Sequence, residues 1–136
     1  MPQKTFLGRL ENLSLIGIFV SQEAKKAGLD DAAVYAVELA VDEAATNIIE
    51  HGYGGDSKGQ IHCSCEIMKN GLKITLKDHG RMFNPDVVPE PSFHGKSIEN
   101  VTPRGLGLFF IKKLMDEVNF EFEPGEGNRL TMIKRK

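Results

Sequence analysis

The stretch from Ile61 to Gly80 constrains the fold of this chain most. Ile61, Cys63, Cys65 and Ile67 alternate with His62, Ser64, Glu66 and Met68, the period of a strand with one buried face. Asn70-Gly71 then marks a two-residue hairpin turn. Beyond it Leu72, Ile74 and Leu76 alternate with Lys73, Thr75 and Lys77, and Asp78 falls in phase with the apolar set. That phase points Asp78 to the core side of the sheet. A carboxylate turned inward must find a donor or lose its charge. Gly80 follows two residues on, where a tight turn or a close approach to a ligand needs no side chain. Two roles suit Asp78: accepting a hydrogen bond from an exocyclic amine such as that of adenine, or capping the turn after the strand.

Helical periods flank this hairpin. Leu13, Ile16, Val20 and Ala27, with Phe19 and Ala24 beside them, predict a helix over 12–27, closed by Gly28. Asp30 or Asp31 caps a longer helix to about Glu50, with Val34, Val37, Val41, Ala45 and Ile48 as its core stripe. A third helix is expected from Gly105 to Glu117, and two strands, 118–123 and 128–135, around Pro124-Gly125-Glu126-Gly127. Residues 84–103 hold four prolines and no clear period, as a functional or disordered loop would. The order predicts one α+β domain over 1–136: a two-layer sandwich in which three helices cover one face of a mostly antiparallel mixed sheet.

Composition narrows the class. The 136 residues suit one core, and a net charge of -2 gives no general attraction to nucleic acid or anionic membrane. No stretch approaches the roughly 20 apolar residues that span a bilayer, and Met1 to Leu10 lacks the layout of a secretory signal. Cys63 and Cys65, two apart, cannot staple a fold, so a reducing cytoplasm is expected.

Three groups of residues offer chemistry. Glu43 and Asn47 sit one turn apart on the second helix, on a face edged by Ala36, Ala40 and Ala44 that leave space above it. Their hard oxygens suit magnesium, or else they are an ordinary solvated face. Asp78 and Gly80 are the second group. Arg104-Gly105-Leu106-Gly107-Leu108 opens the third helix, where freed amides, the helix dipole and a guanidinium favour phosphate. No Gly-Lys-Ser/Thr follows, which excludes a P-loop, and Phe110 with a Pro-rich approach excludes the dinucleotide fingerprint. His62 lies opposite the two cysteines, so the trio reads as packing and not as a zinc site. His51, His79 and His94 have no serine or cysteine nucleophile arranged with them.

Together these segments resemble the GHKL superfamily of gyrase, chaperone and histidine-kinase ATPases. Asp42 to Tyr53 resembles its N box, Asp78 to Pro85 its G1 box, Arg104 to Leu108 its G2 box, and Gly127 to Met132 its closing strand. Within it the chain is most similar to the stand-alone anti-sigma-factor serine/threonine kinases of bacterial partner-switching systems. That resemblance implies ATP and magnesium as cofactors. Glu43 would be the base for a substrate hydroxyl, Asn47 the magnesium ligand, and Asp78, with Gly80 and Phe83, the adenine site. Arg104, Gly105, Leu106, Gly107 and Leu108 would hold the phosphates, Thr131 would join the adenine–water network, and Asn84 to Thr102 would form the lid. It also implies a STAS-domain antagonist as substrate, a sigma factor or other regulator as competing partner, and a homodimer. Met82 departs from the family, which often has a second glycine there. A catalytically weak ATP switch that sequesters a partner shares the same pocket, and Glu43 separates the two, because such a switch has no need of a base.

Overall fold

The computed structural model describes residues 1–87 and 103–136. Strands β1 (Gln3–Leu7), β2 (Gln60–Met68), β3 (Gly71–Asp78), β4 (Glu117–Glu123) and β5 (Gly127–Arg135) form one sheet in the order β1-β2-β3-β5-β4. Helices α1 (Leu13–Lys26), α2 (Asp31–Asn47) and α3 (Pro103–Leu114) complete the fold, and α2 packs against both of the others. The α+β sandwich agrees with expectation, with one correction. All four neighbouring strand pairs are antiparallel, so the sheet is not mixed.

The buried side chains follow the predicted phases. Ile61, Cys63, Cys65, Leu72, Ile74, Leu76, Leu130 and Met132 face Ile16, Val20, Val37, Val41 and Ala45 of the helices in one core. Both thiols are free, and burial beside Cys65, whose thiol bonds to it, pushes the Cys63 thiol up. His62 looks out from the other face and ties β1 to β2 through Thr5 Oγ1 (2.7 Å) and Gln3 Oε1 (3.0 Å). Asp30 caps α2 by accepting from the Ala33 amide at 2.8 Å. Ala36, Ala40 and Ala44 are buried, so the space expected above that stripe is largely filled by neighbouring elements.

Four boundaries moved. Met68 pairs with Gly71, so Lys69 and Asn70 make the hairpin turn, and neither takes a positive φ. Gly71 is needed instead for contact with β5: a Cβ there would fall on the Lys134 carbonyl. Helix α3 starts two residues earlier than expected, with Pro103 in its first turn, where a missing N–H costs no intrahelical bond. It ends at Leu114, because the Asp116 amide already bonds to the Ile133 carbonyl (2.9 Å) at the start of the β4–β5 pairing. After Asn47 the chain widens into a π turn over Ile48–Gly52, with the Tyr53 amide on the Ile48 carbonyl (2.9 Å).

One buried group works against stability. Glu23 of α1 is 4% exposed; its Oε2 accepts from Lys26 Nζ (3.1 Å), and its Oε1 has no partner among the described residues. Replacement of such a group by an apolar side chain of similar length removes a desolvation cost. Glu23→Met is expected to stabilise the protein by about 1 kcal/mol, read as a higher melting temperature.

Candidate nucleotide site

Asp78 ends β3 with its side chain on the core face, 5% exposed. Its Oδ1 accepts from the Gly80 amide (2.9 Å) and from Asn128 Nδ2 (3.0 Å), while its Oδ2 has no hydrogen-bond partner among the described residues. Burial raises its pKa above the ordinary aspartate value, against the opposing pull of the Asn128 and Gly80 bonds and of His79.

The turn that follows is fastened to the end of the α2 segment by main chain. A Cβ on Gly80 would lie 2.6 Å from the Gly52 carbonyl carbon and 2.7 Å from its oxygen, so only glycine admits this approach. The Arg81 amide donates to the Gly52 carbonyl (2.8 Å), and Arg81 Nη2 donates to the His51 carbonyl (3.0 Å). The Tyr53 hydroxyl donates to the Gln60 carbonyl (2.6 Å) and accepts from the His79 amide (2.9 Å). The His-Gly-Tyr sequence after the helix thus positions the Asp78 turn. Gly80→Ala is expected to cost about 1–3 kcal/mol, because the clash is with backbone that cannot rotate away. Thermal unfolding of the variant measures this.

Above this floor a cleft holds about 510 Å³ of atom-free space, open to solvent at its mouth. Asp78, Asn128 and Phe83 line the sheet side, and Ala44, Asn47 and Ile48 the helix side. Phe83 packs on Phe120 with ring centroids 4.7 Å apart. Met82 is 60% exposed and does not line the cleft, so the departure at this position leaves the cavity open.

Glu43, one turn before Asn47, is half-buried. Its pKa is raised by burial and then by the charges of Asp42 and Glu50. Helix α3 comes against it one turn in from its start. A Cβ on Gly107 would lie 2.8 Å from Glu43 Oε2 and 3.7 Å from Asn47 Nδ2. Gly105, Gly107 and Leu108 are buried here and Leu106 is half-buried. Gly107, the fifth residue of α3, therefore lets the N-terminal part of that helix approach Glu43 and Asn47. Residue 104 is in the first turn of α3, but the role expected of the Arg104 side chain falls outside the described residues, as does the expected lid beyond Val87.

One sequence expectation changes. Thr131 pairs with Thr75 on the outer face of the sheet, between the inward Leu130 and Met132, and does not reach the cleft. Asn128, three residues earlier and in phase with Leu130, holds that position instead. Strand phase was the available signal, since Asn128 shares the parity of the apolar residues of β5. Among the described residues no cluster of three His, Cys, Asp or Glu forms a metal site.

A carboxylate at the floor of a cleft between a helix layer and an antiparallel sheet, with a helix N-terminus across from it, is the arrangement of one ATPase class. The profile of the histidine kinase-like ATPase domain matches residues 6–134, and the chain belongs to that family. It is 33% identical over 127 residues to the serine-protein kinase RsbW of Listeria innocua, an alignment that covers 91% of this chain and 76% of the relative. It is 32% identical over 130 residues to the serine-protein kinase RsbW of Staphylococcus aureus, with 93% and 82% covered. The fold also matches the solved RsbU and RsbW domains of a Mycobacterium tuberculosis protein (TM-score 0.66, 17% identity), over 99% of this chain and 32% of that one. The catalytic domain of histidine kinase ThkA matches with a TM-score of 0.58 and 16% identity, over 100% and 98%. No helix among the described residues is long and apolar enough to cross a membrane.

Proposed function

We propose that this chain is an ATP- and magnesium-dependent serine/threonine protein kinase of a bacterial partner-switching system. Its substrate is a STAS-domain antagonist, and in the same system it acts as an anti-sigma factor, as a homodimer. The observation that carries this reading is the approach of α3 at Gly107 to Glu43 and to Asn47, the latter on the helix side of the cleft that Asp78 lines. The relatives named serine-protein kinase support the reaction class.

Asp78 Oδ2 accepts a hydrogen bond from the adenine amino group. Phe83 and Ile48 cover the base on either side of the cleft. The side-chain oxygen of Asn47 fits a magnesium ion that takes its remaining ligands from phosphate and water. When bound, that ion neutralises charge on the phosphates. The positive end of α3 favours the transferring phosphoryl group. A serine or threonine hydroxyl oxygen then bonds to the γ-phosphorus, the bond to the bridging oxygen of ADP breaks, and Glu43 takes the hydroxyl proton. Burial of Glu43 raises its affinity for that proton. A pure binding switch would carry this buried carboxylate without using it.

The test is transfer of label from γ-labelled ATP with magnesium to STAS-domain proteins encoded near the gene. Label on one of them supports the kinase. ATP binding without label on any of them overturns it in favour of a nucleotide-dependent sequestering switch.

A further inference from the structure

We infer that Asn128 is a specificity-determining positioning residue: its carboxamide holds Asp78 as a pure acceptor toward the cleft, so that the pocket selects an amino-purine over an oxo-purine. The inference rests on the ATP-binding reading above and deepens it.

Asn128 is 9% exposed and spends every polar atom on the turn around Asp78. Its Nδ2 donates to Asp78 Oδ1 (3.0 Å) and to the carbonyls of Arg81 (2.9 Å) and Gly80 (3.3 Å). Its Oδ1 accepts from the Phe83 amide (2.9 Å). These partners fix which end of the amide is which. Two carbonyls can only accept and a backbone N–H can only donate, so a flipped amide would face donor to donor and acceptor to acceptor. Asp78 Oδ1 therefore always meets an N–H from Asn128, and a second from Gly80. Both its lone pairs are used, and any proton that Asp78 takes up must sit on Oδ2, the oxygen that neither donor engages.

The protonation state of Asp78 then becomes a choice of base. Ionised, Oδ2 only accepts and matches the amino group at the purine 6-position of adenine. Protonated, Oδ2 carries a donor and matches the 6-oxo group of guanine. Burial drives Asp78 toward the protonated form, and the Asn128 bond is the largest opposing influence. Nothing local in the sequence links these two residues, which lie fifty positions apart.

The test compares ATP and GTP affinity across pH 5–9 for the parent, Asn128→Ala and Asn128→Asp, with circular dichroism to establish folding. In the parent, ATP preference is expected to fall as pH drops, as ATP weakens and GTP gains. Both variants should lose ATP-to-GTP preference, and any pH at which the preference changes should move upward, because the largest influence opposing protonation of Asp78 is gone. Folded variants that weaken ATP and GTP equally at every pH, with an unmoved midpoint, would make Asn128 merely structural and overturn the inference. If neither variant folds, Asn128→Ser, a smaller change at the same position, takes their place with the same two outcomes. A parent that binds neither nucleotide instead removes the ATP reading itself, and this inference with it.

Discussion

Asp78→Asn is expected to lower ATP affinity at least about a hundredfold at neutral pH, while the ligand-free protein becomes no less stable. The asparagine is the same size and keeps an oxygen for the Gly80 and Asn128 donors that now meet Asp78 Oδ1. Its amide nitrogen then replaces Oδ2 and faces the adenine amino group donor to donor. A lost charge-assisted bond is worth about 1.5–3 kcal/mol, and the buried mismatch adds to it. Stability moves the other way. The folded pKa of Asp78 is raised, so its contribution to stability is present below the unfolded value of 3.8 and is lost as pH rises through the folded one. At pH 7 the ionised group is a burden, which asparagine lifts. Melting curves with and without ATP-magnesium between pH 4 and pH 8 read both effects. An ATP-induced rise in the variant equal to that of the parent would remove Asp78 from the adenine site.

Glu43→Gln is expected to separate binding from chemistry. Its side chain lies beside Gly107 of α3 and does not line the cleft, so ATP affinity should stay within about threefold of the parent. Loss of a general base costs about 10²–10⁴-fold in transfer. The pH profile gives a second check. Burial, with Asp42 and Glu50, raises the Glu43 pKa above its usual 4.5. The rate of the parent should therefore climb with pH over a range displaced above that value, as Glu43 sheds its proton. The variant should lack that limb. Single-turnover transfer at saturating ATP measures both, and equal rates in the two proteins would rule out Glu43 as the base.

Much of this was legible because the determinants are local. The period-two alternation placed β2 and β3, and continuing it by one step turned Asp78 inward. Asp30 and the helical stripe placed α2. Strand β1 was not legible because Phe6 is its only buried residue, and one residue makes no alternation. The turn at Lys69–Asn70 was misplaced because Gly71 answers to β5, a partner more than sixty residues away. Asn128 and the Tyr53 hydroxyl were missed for the same reason: their partners adjoin them only after folding. Thr131 was placed by motif alignment where strand parity favoured its neighbours.

The contact between Gly52 and Gly80 has a bearing on how this pocket can diverge. At this seam main chain lies against main chain, so the closest approach of the two segments depends on the absence of a side chain at position 80. Phe83 follows that seam and lines the cleft. Its identity can drift, or be randomised in a library, while the frame beneath it stays the same. A search for variants with altered nucleotide preference would therefore best exchange Phe83 and leave both glycines untouched.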